Sequence, residues 1–125
     1  SPDFIVAYAC TTPTAIASVP LLQQTTRPDA WRQWFAAMKV DAPGALAGPR
    51  YELFSMAAAA AAAGMGVALV PKMLVAAELA RGELAIACDR PLIGQRHYYL
   101  VVPETNMGNP RLARLDEWLR ETARI

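Results

Sequence analysis

The stretch "YELFSMAAAAAAAGMGVALVPKMLVAAELARGEL", Tyr51 to Leu84, decides the fold. An unbroken alanine run, Ala57 to Ala63, lies inside it and is followed at once by Gly-Met-Gly. Alanine has the highest helix propensity and almost no side chain, so the run predicts a helix that can lie very close to a sheet. Ser55 is predicted to cap this helix, and Gly64 to end it in a left-handed turn.

The residues after the alanine run predict a buried strand and a second helix. "VALVP", Val67 to Pro71, is continuously apolar, as a parallel strand buried on both faces should be. Pro71 is predicted to begin the helix "KMLVAAELAR", which stops at Gly82. Because Gly64 and Gly66 follow a helix and precede a strand, their order argues against a phosphate-binding loop, which needs the reverse.

The rest of the chain continues this alternation of strands and helices. Further strands are predicted at "FIVAYAC" (Phe4–Cys10), "LLQQT" (Leu21–Thr25), "RYELF", "ELAIAC" and "RHYYLVVP". Further helices are predicted after the caps Thr11 or Thr12, Asp29 and Asn109. Two of these helices carry apolar stripes predicted to be buried, which are Trp31, Trp34, Phe35 and Met38, and then Leu112, Leu115, Trp118 and Leu119. The alternation predicts an α/β fold.

Composition and charge exclude several classes of function for this chain. The chain has 125 residues, 54% of them apolar, and a net charge of +1, which indicates one globular domain without a basic DNA-binding surface. Cys10 and Cys88 fit no metal-ligand spacing and are predicted to be buried thiols, and His97 is the sole histidine. No catalytic motif occurs, so we expect neither an enzyme nor a cofactor or metal. Without a signal peptide or a long apolar run, we expect a cytoplasmic protein that does not contact a membrane.

Three segments together resemble a known family. They are "AAAGMGVALVPKMLVAAELARGEL", "PLLQQTTRPDAWRQWF" and the closing "YYLVVPE…PRLARLDEWL". The pattern is similar to the C-terminal effector-binding domain of LysR-type transcriptional regulators, above all the glycine-cleavage-activator and β-lactamase-activator subgroup. Where the family usually has Val-x-Ser-Pro, this chain has "VAYACTTP", with Thr11-Thr12-Pro13 at the turn.

The resemblance implies a periplasmic-binding-protein-like fold of two α/β lobes joined by crossing strands, with a small effector between the lobes. Residues 1–19 would be the first crossover strand and its turn, a remnant of the first lobe. Residues 20–90 would form the second lobe, and residues 91–125 the return crossover and the terminal helix. It further implies a homo-oligomer that contacts DNA only through a missing N-terminal winged helix-turn-helix domain. A solute-binding protein or a small-molecule enzyme on the same fold is the alternative.

The effector site follows from the predicted order of elements. In α/β folds a ligand lies beyond the carboxyl ends of the strands, where helix amino ends offer free amides. That rule selects polar and aromatic residues after three predicted strands, which are Thr11, Thr12, Thr25, Thr26, Arg27, Tyr51, Phe54 and Ser55. The family resemblance adds Tyr98 on the return strand.

Overall fold

A computed structural model describes residues 1–94 and 96–123. Its sheet has three parallel strands, β1 (Leu21–Gln24), β2 (Arg50–Tyr51) and β3 (Val67–Ala68), in the order β2-β1-β3. Leu21 pairs with Val67 and Gln23 with Arg50. The helices of the described residues are α1 (Pro2–Tyr8), α2 (Pro13–Ile16), α3 (Ala30–Ala37), α4 (Phe54–Ala62), α5 (Ala76–Ala80) and α6 (Pro110–Thr122), with 3-10 turns at Lys72–Val75 and Glu104–Asn106.

Helices cover both faces of this sheet. Successive residues of a strand point to opposite faces. Accordingly, Leu21 packs in one apolar cluster with Trp34 and Phe35 of α3, whereas Leu22 packs in another with Ala58 and neighbouring alanines of α4. The fold is therefore α/β, with β1 in the middle of the sheet and a helical layer on each side, and the stripe predicted for α3 is buried at Trp31, Trp34 and Phe35.

The alanine helix packs directly on the sheet. Its buried positions are Ala57, Ala58, Ala60 and Ala61, while Ala59 and Ala63 are exposed. Gly64 follows with φ of +78°, so the predicted left-handed stop is confirmed. The predicted cap is wrong, because Leu53 occupies the cap position and Ser55 lies inside the first turn.

The other caps and stops follow local chemistry. Thr12 Oγ1 accepts from the Ala15 amide at 3.2 Å and begins α2, as predicted. Asp29 precedes α3, but its carboxylate makes an ion pair with Arg32 at 2.9 Å and forms no cap hydrogen bond. The helix predicted after Pro71 begins as a 3-10 turn, continues as α5, and ends at Gly82 with φ of +72°.

The predicted strand Phe4–Cys10 is wrong. Residues Pro2–Tyr8 form helix α1, in which Ser1 Oγ accepts from the Phe4 amide at 3.2 Å. Pro2 occupies the first turn and Asp3 places a negative charge near the positive amino end. These start signals outweigh the strand propensity of the apolar run.

Other predicted strands are shortened or absent. "RYELF" is a strand only at Arg50–Tyr51, because Phe54 already belongs to α4, and "VALVP" is a strand only at Val67–Ala68. β3 is half-buried, so its predicted burial on both faces is wrong, and no described strand pairs with its outer edge. "ELAIAC" and "RHYYLVVP" form no strand among the described residues, because neither finds a partner with which to build a hydrogen-bonded ladder.

The described chain divides into two units, Ser1–Leu92 and Ile93–Ile125. In the second unit, Asn109 Oδ1 accepts from the Arg111 amide at 3.0 Å, which confirms the predicted cap of α6. The predicted burial of the α6 stripe is wrong within this unit. Leu112 and Leu119 are half-buried, and Leu115 and Trp118 are 40% and 58% exposed. None of the described helices is long and apolar enough to cross a membrane.

Candidate functional site

The ends of β1 and β2 are held together by one threonine. The Thr25 amide donates to the Tyr51 carbonyl at 3.0 Å, and Thr25 Oγ1 donates to the same oxygen at 3.4 Å. Because β1 and β2 are parallel, their carboxyl ends meet at one edge of the sheet. We call the group Thr25, Thr26, Arg27, Phe54 and Ser55 the carboxyl-edge cluster.

Two segments of the chain leave this edge of the sheet, one after β1 and one after β2. After β1 the chain turns, with the Arg27 amide bonded to the Gln24 carbonyl at 3.1 Å. After β2 it enters α4, whose first residue, Phe54, presents its ring to the Arg27 guanidinium at 5.2 Å from the ring centroid. A cation at this distance from an aromatic face is attracted by the negative charge of that face. The contact joins the two exits from the sheet and fixes a positive charge beside the start of α4.

The amino end of α4 favours an anion. Its cap residue, Leu53, offers no side-chain acceptor, so the amides of the first turn are free of a cap. No acidic residue lies in that turn, and the exposed carboxylate of Glu52 directly precedes the cap. Such amides carry the positive end of the helix dipole. Ser55 adds an exposed hydroxyl, and Arg27 lies beside Phe54. Chemically, this arrangement can hold a carboxylate or a phosphate.

A cleft of about 130 Å³ adjoins the cluster. Its lining residues are Gln23, Gln24, Thr25, Pro28, Asp29, Leu46 and Arg50. Gln23 Nε2 donates to the carbonyls of Leu21, Ala45 and Ala47 at 3.2, 3.0 and 3.3 Å, which ties the loop before β2 to β1. Gln24 is also buried, and its Oε1 has no hydrogen-bond partner among the described residues.

Sequence reasoning did not single out these two glutamines. The signal was present, because two adjacent amides at the carboxyl end of a strand place one polar side chain on each face of a sheet that is covered on both faces. Buried amides need partners, so they mark a place where the strand holds a loop or meets another polar group.

The other predicted site residues lie in different surroundings. The Tyr51 carbonyl is at the carboxyl edge, but its ring packs in the α4 cluster and its hydroxyl lies 4.0 Å from Met65 Sδ, beyond the opposite end of α4. Thr12 serves as the cap of α2, and Thr11 is exposed directly before it. Tyr98 is exposed and belongs to the second unit.

Ion-binding residues are not grouped in the described part of the chain. Across residues 1–94 and 96–123, no group of three or more His, Cys, Asp or Glu side chains is placed to hold a metal ion. Cys10 is buried, Cys88 is half-buried, and both are free thiols.

Comparison with known proteins shows one matching family and several relatives. The family model described as "LysR substrate binding domain" matches residues 1–124. The HTH-type transcriptional regulator TrpI of Pseudomonas aeruginosa is 38% identical over 107 residues, which cover 82% of this chain and 34% of that protein. PerR of Escherichia coli is 33% identical over 113 residues, 86% of this chain and 36% of that protein. AbaB of Streptomyces antibioticus is 38% identical over 63 residues, half of this chain and 21% of that protein. The chain thus spans about a third of the length of TrpI and PerR. No solved structure matches the chain significantly.

Proposed function

The chain belongs to the LysR substrate-binding domain family, and we propose that it senses a small-molecule effector for a bacterial transcription regulator. The regulators it is similar to are named as helix-turn-helix proteins about three times as long as the matched region. We therefore propose that DNA is contacted by a helix-turn-helix segment outside these 125 residues. The net charge of +1 supports this division, because DNA binding relies on many Lys and Arg contacts to phosphates.

The carboxyl-edge cluster is the proposed effector site. One observation carries this proposal, which is the junction of two parallel strand ends with the uncapped amino end of α4. The hydroxyls of Thr26 and Ser55 would donate to the effector, and Arg27 would balance a negative charge. The Thr25 hydroxyl would donate to the effector by leaving its 3.4 Å bond to the Tyr51 carbonyl. The effector class is accordingly a small organic anion, a carboxylate or a phosphate ester.

The remaining predicted residues belong to the two proposed crossover segments. In the proposed division, residues 1–19 form a crossover segment, residues 20–90 the second lobe, and residues 91–125 the return crossover with the terminal helix. Thr11 and Thr12 on the first crossover, and Tyr98 on the return crossover, are proposed as further effector residues. The role proposed for the module is binding and not catalysis, in keeping with its relatives, which are named as regulators.

Removing two hydroxyls tests the effector site. We expect the double variant Thr25→Ala/Ser55→Ala to need roughly tenfold or more effector for a half-maximal response, because each lost hydrogen bond to a charged group costs about 1.5 kcal/mol. The effector would first be identified by a thermal-shift screen of carboxylates and phosphate esters on the full-length regulator. The response would then be measured with a promoter reporter.

Thr14→Ala is the matched control, since Thr14 is an exposed threonine outside the cluster. It should respond like the wild type. If the double variant also responds like the wild type, the carboxyl-edge cluster does not bind the effector.

Self-association is a second expectation, and it concerns α6. Leu115 and Trp118 expose apolar surface on this helix, and Tyr99 and Val101 expose more before it, at 78% and 84%. Apolar patches of this kind usually find a partner. We expect the chain to sediment as a dimer or larger species at about 50 µM, a concentration at which micromolar interfaces are largely occupied.

Trp118→Glu should shift the chain towards monomer, because it places a charge in the centre of the patch. Glu117→Gln, on the neighbouring exposed position, should leave the sedimentation profile unchanged. A wild-type chain that is monomeric at this concentration would exclude α6 as a self-association surface.

A further inference from the structure

A second cavity lies along the outer edge of β3, within the unit Ser1–Leu92. Its volume is about 200 Å³, larger than that of the cleft beside the carboxyl edge. Ala58 and Ala61 of α4 line it from one face of the sheet, and Trp31 and Trp34 of α3 line it from the other. The cavity exists because no described strand pairs with this edge of β3, so the two helical layers meet over a gap.

The walls of the cavity offer few polar groups to a ligand. Both indole N–H groups are already used, since Trp31 Nε1 donates to the Leu22 carbonyl at 3.0 Å and Trp34 Nε1 donates to the Arg90 carbonyl at 2.8 Å. The charged side chains of the lining, those of Lys72, Asp89 and Arg90, are exposed. The half-buried terminal ammonium of Ser1 also lines the cavity, and it already donates to the Ala61 carbonyl at 3.0 Å. A polar ligand would therefore lose its hydration in the interior without replacing it, whereas an apolar ligand would lose nothing.

The third wall provides a route of entry. It is formed by residues 84–91, which line the cavity opposite β3. None of the backbone groups from Ala85 to Asp89 bonds to another described backbone group, although the sequence there favours a strand. A segment without ladder or helix hydrogen bonds opens at low cost in free energy. The wall can therefore open between its two anchors, which are the buried Leu84 side chain in the α4 cluster and the Arg90 carbonyl bonded to Trp34.

We propose that this cavity binds a neutral, apolar molecule about the size of one substituted ring. An apolar cavity of about 150 Å³ is large enough for benzene, so about 200 Å³ admits a ring with a short alkyl group. This ligand is distinct from the organic anion proposed at the carboxyl edge, and the two sites use different residues. The inference therefore goes beyond the effector site and does not depend on it.

Toluene is the probe, with the full chain carrying Trp118→Phe so that fluorescence reports only on Trp31 and Trp34. We expect a saturable change in emission with Kd on the order of 0.1–1 mM. At ten times Kd, the melting temperature should rise by about 5 °C, because the ligand binds the folded state alone. Benzoate, similar in size but charged, should bind at least tenfold more weakly.

Filling the cavity gives the decisive comparison. Ala61→Leu occupies the space from α4 and should weaken toluene binding at least tenfold. Ala59→Leu lies on the exposed side of the same helix, does not line the cavity, and should bind toluene like the parent. Ala87→Leu fills the space from the third wall. If Ala61→Leu fails to fold, toluene binding by Ala87→Leu tests the proposal in its place.

Three results would overturn the proposal: no saturable toluene binding, equal toluene binding by the parent and by a folded filling variant, or benzoate binding as tight as that of toluene. None of them bears on the effector response of the Thr25→Ala/Ser55→Ala variant, so failure of either proposal can be recognised separately.

Discussion

Leucine at Ala57 or Ala60 is expected to lower the melting temperature by roughly 5–15 °C. Both alanines are buried on the face of α4 that packs on the sheet, and neither lines the cavity at β3. Overpacking a filled core costs about 1–3 kcal/mol, and one kcal/mol shifts the melting temperature of a domain of this size by about 4–8 °C. Circular dichroism melts of single leucine variants across Ala57–Ala63 would measure the effect.

The same series contains its own controls. Ala59→Leu and Ala63→Leu place the new side chain in solvent and should change the melting temperature by about 1–2 °C at most. Ala58→Leu and Ala61→Leu should fall between the two groups, because their side chains can extend into the cavity. A uniform effect along the run would mean that α4 does not pack closely on the sheet.

Alanine at Gly66 is expected to cost about 2–4 kcal/mol, more than any single leucine in α4. A Cβ at this position would lie 2.4 Å from the Pro20 carbonyl oxygen, which is backbone and cannot swing aside. That oxygen accepts from the Val67 amide at 3.0 Å in the pairing of β1 with β3. The substitution therefore forces apart the start of a ladder that is only two residue pairs long.

Gly44→Ala is the matched control for Gly66→Ala. A Cβ at Gly44 meets nothing within 4 Å, so its stability should match that of the wild type or slightly exceed it. Urea denaturation would give both free energies of unfolding. If Gly66→Ala is as stable as Gly44→Ala, β3 does not approach β1 as closely as the structure has it.

The elements predicted correctly are those whose determinants are local. The alanine run, the Gly64 stop, the Thr12 cap and the Asn109 cap each depend on residues within a turn or two of one another. A helix satisfies its own hydrogen bonds, so its sequence is sufficient to predict it.

The strands were predicted less well, because a strand is completed by residues far away in the chain. "ELAIAC" and "RHYYLVVP" have strand-like sequences but find no ladder partner among the described residues. Phe4–Cys10 is a different case, because the local start signals of Ser1, Pro2 and Asp3 outweigh its strand propensity. Propensity measures how well a residue suits a half-buried pleated surface. It does not supply the neighbouring strand that such a surface needs.

The candidate site likewise has features that the sequence predicts and features that depend on distant parts of the chain. That Thr25 and Ser55 lie near one another follows from parallel strand order, which sequence alternation predicts. The direction of the Tyr51 side chain does not follow from order, because it depends on the register of β2 in the pleat, and the hydroxyl lies near Met65. The burial of Gln23 and Gln24 was not predicted, because it depends on the loop before β2 and on the helical layers that cover β1, which lie far away in the sequence.

The order β2-β1-β3 also has a consequence for the folding pathway. β1 can pair only after the chain of β2 and β3 has been synthesised, because Gln23 pairs with Arg50 and Leu21 with Val67. Neither pairing is a hairpin, so no strand pair can form outward from a tight turn. Each pairing requires the closure of a long loop, and the entropy cost of that closure precedes the free energy gained from strand pairing. α4 forms within its own stretch of chain, and its alanines lose no rotamer entropy on burial. The rate at which the sheet appears is therefore governed by these two long closures and not by the helix that covers it.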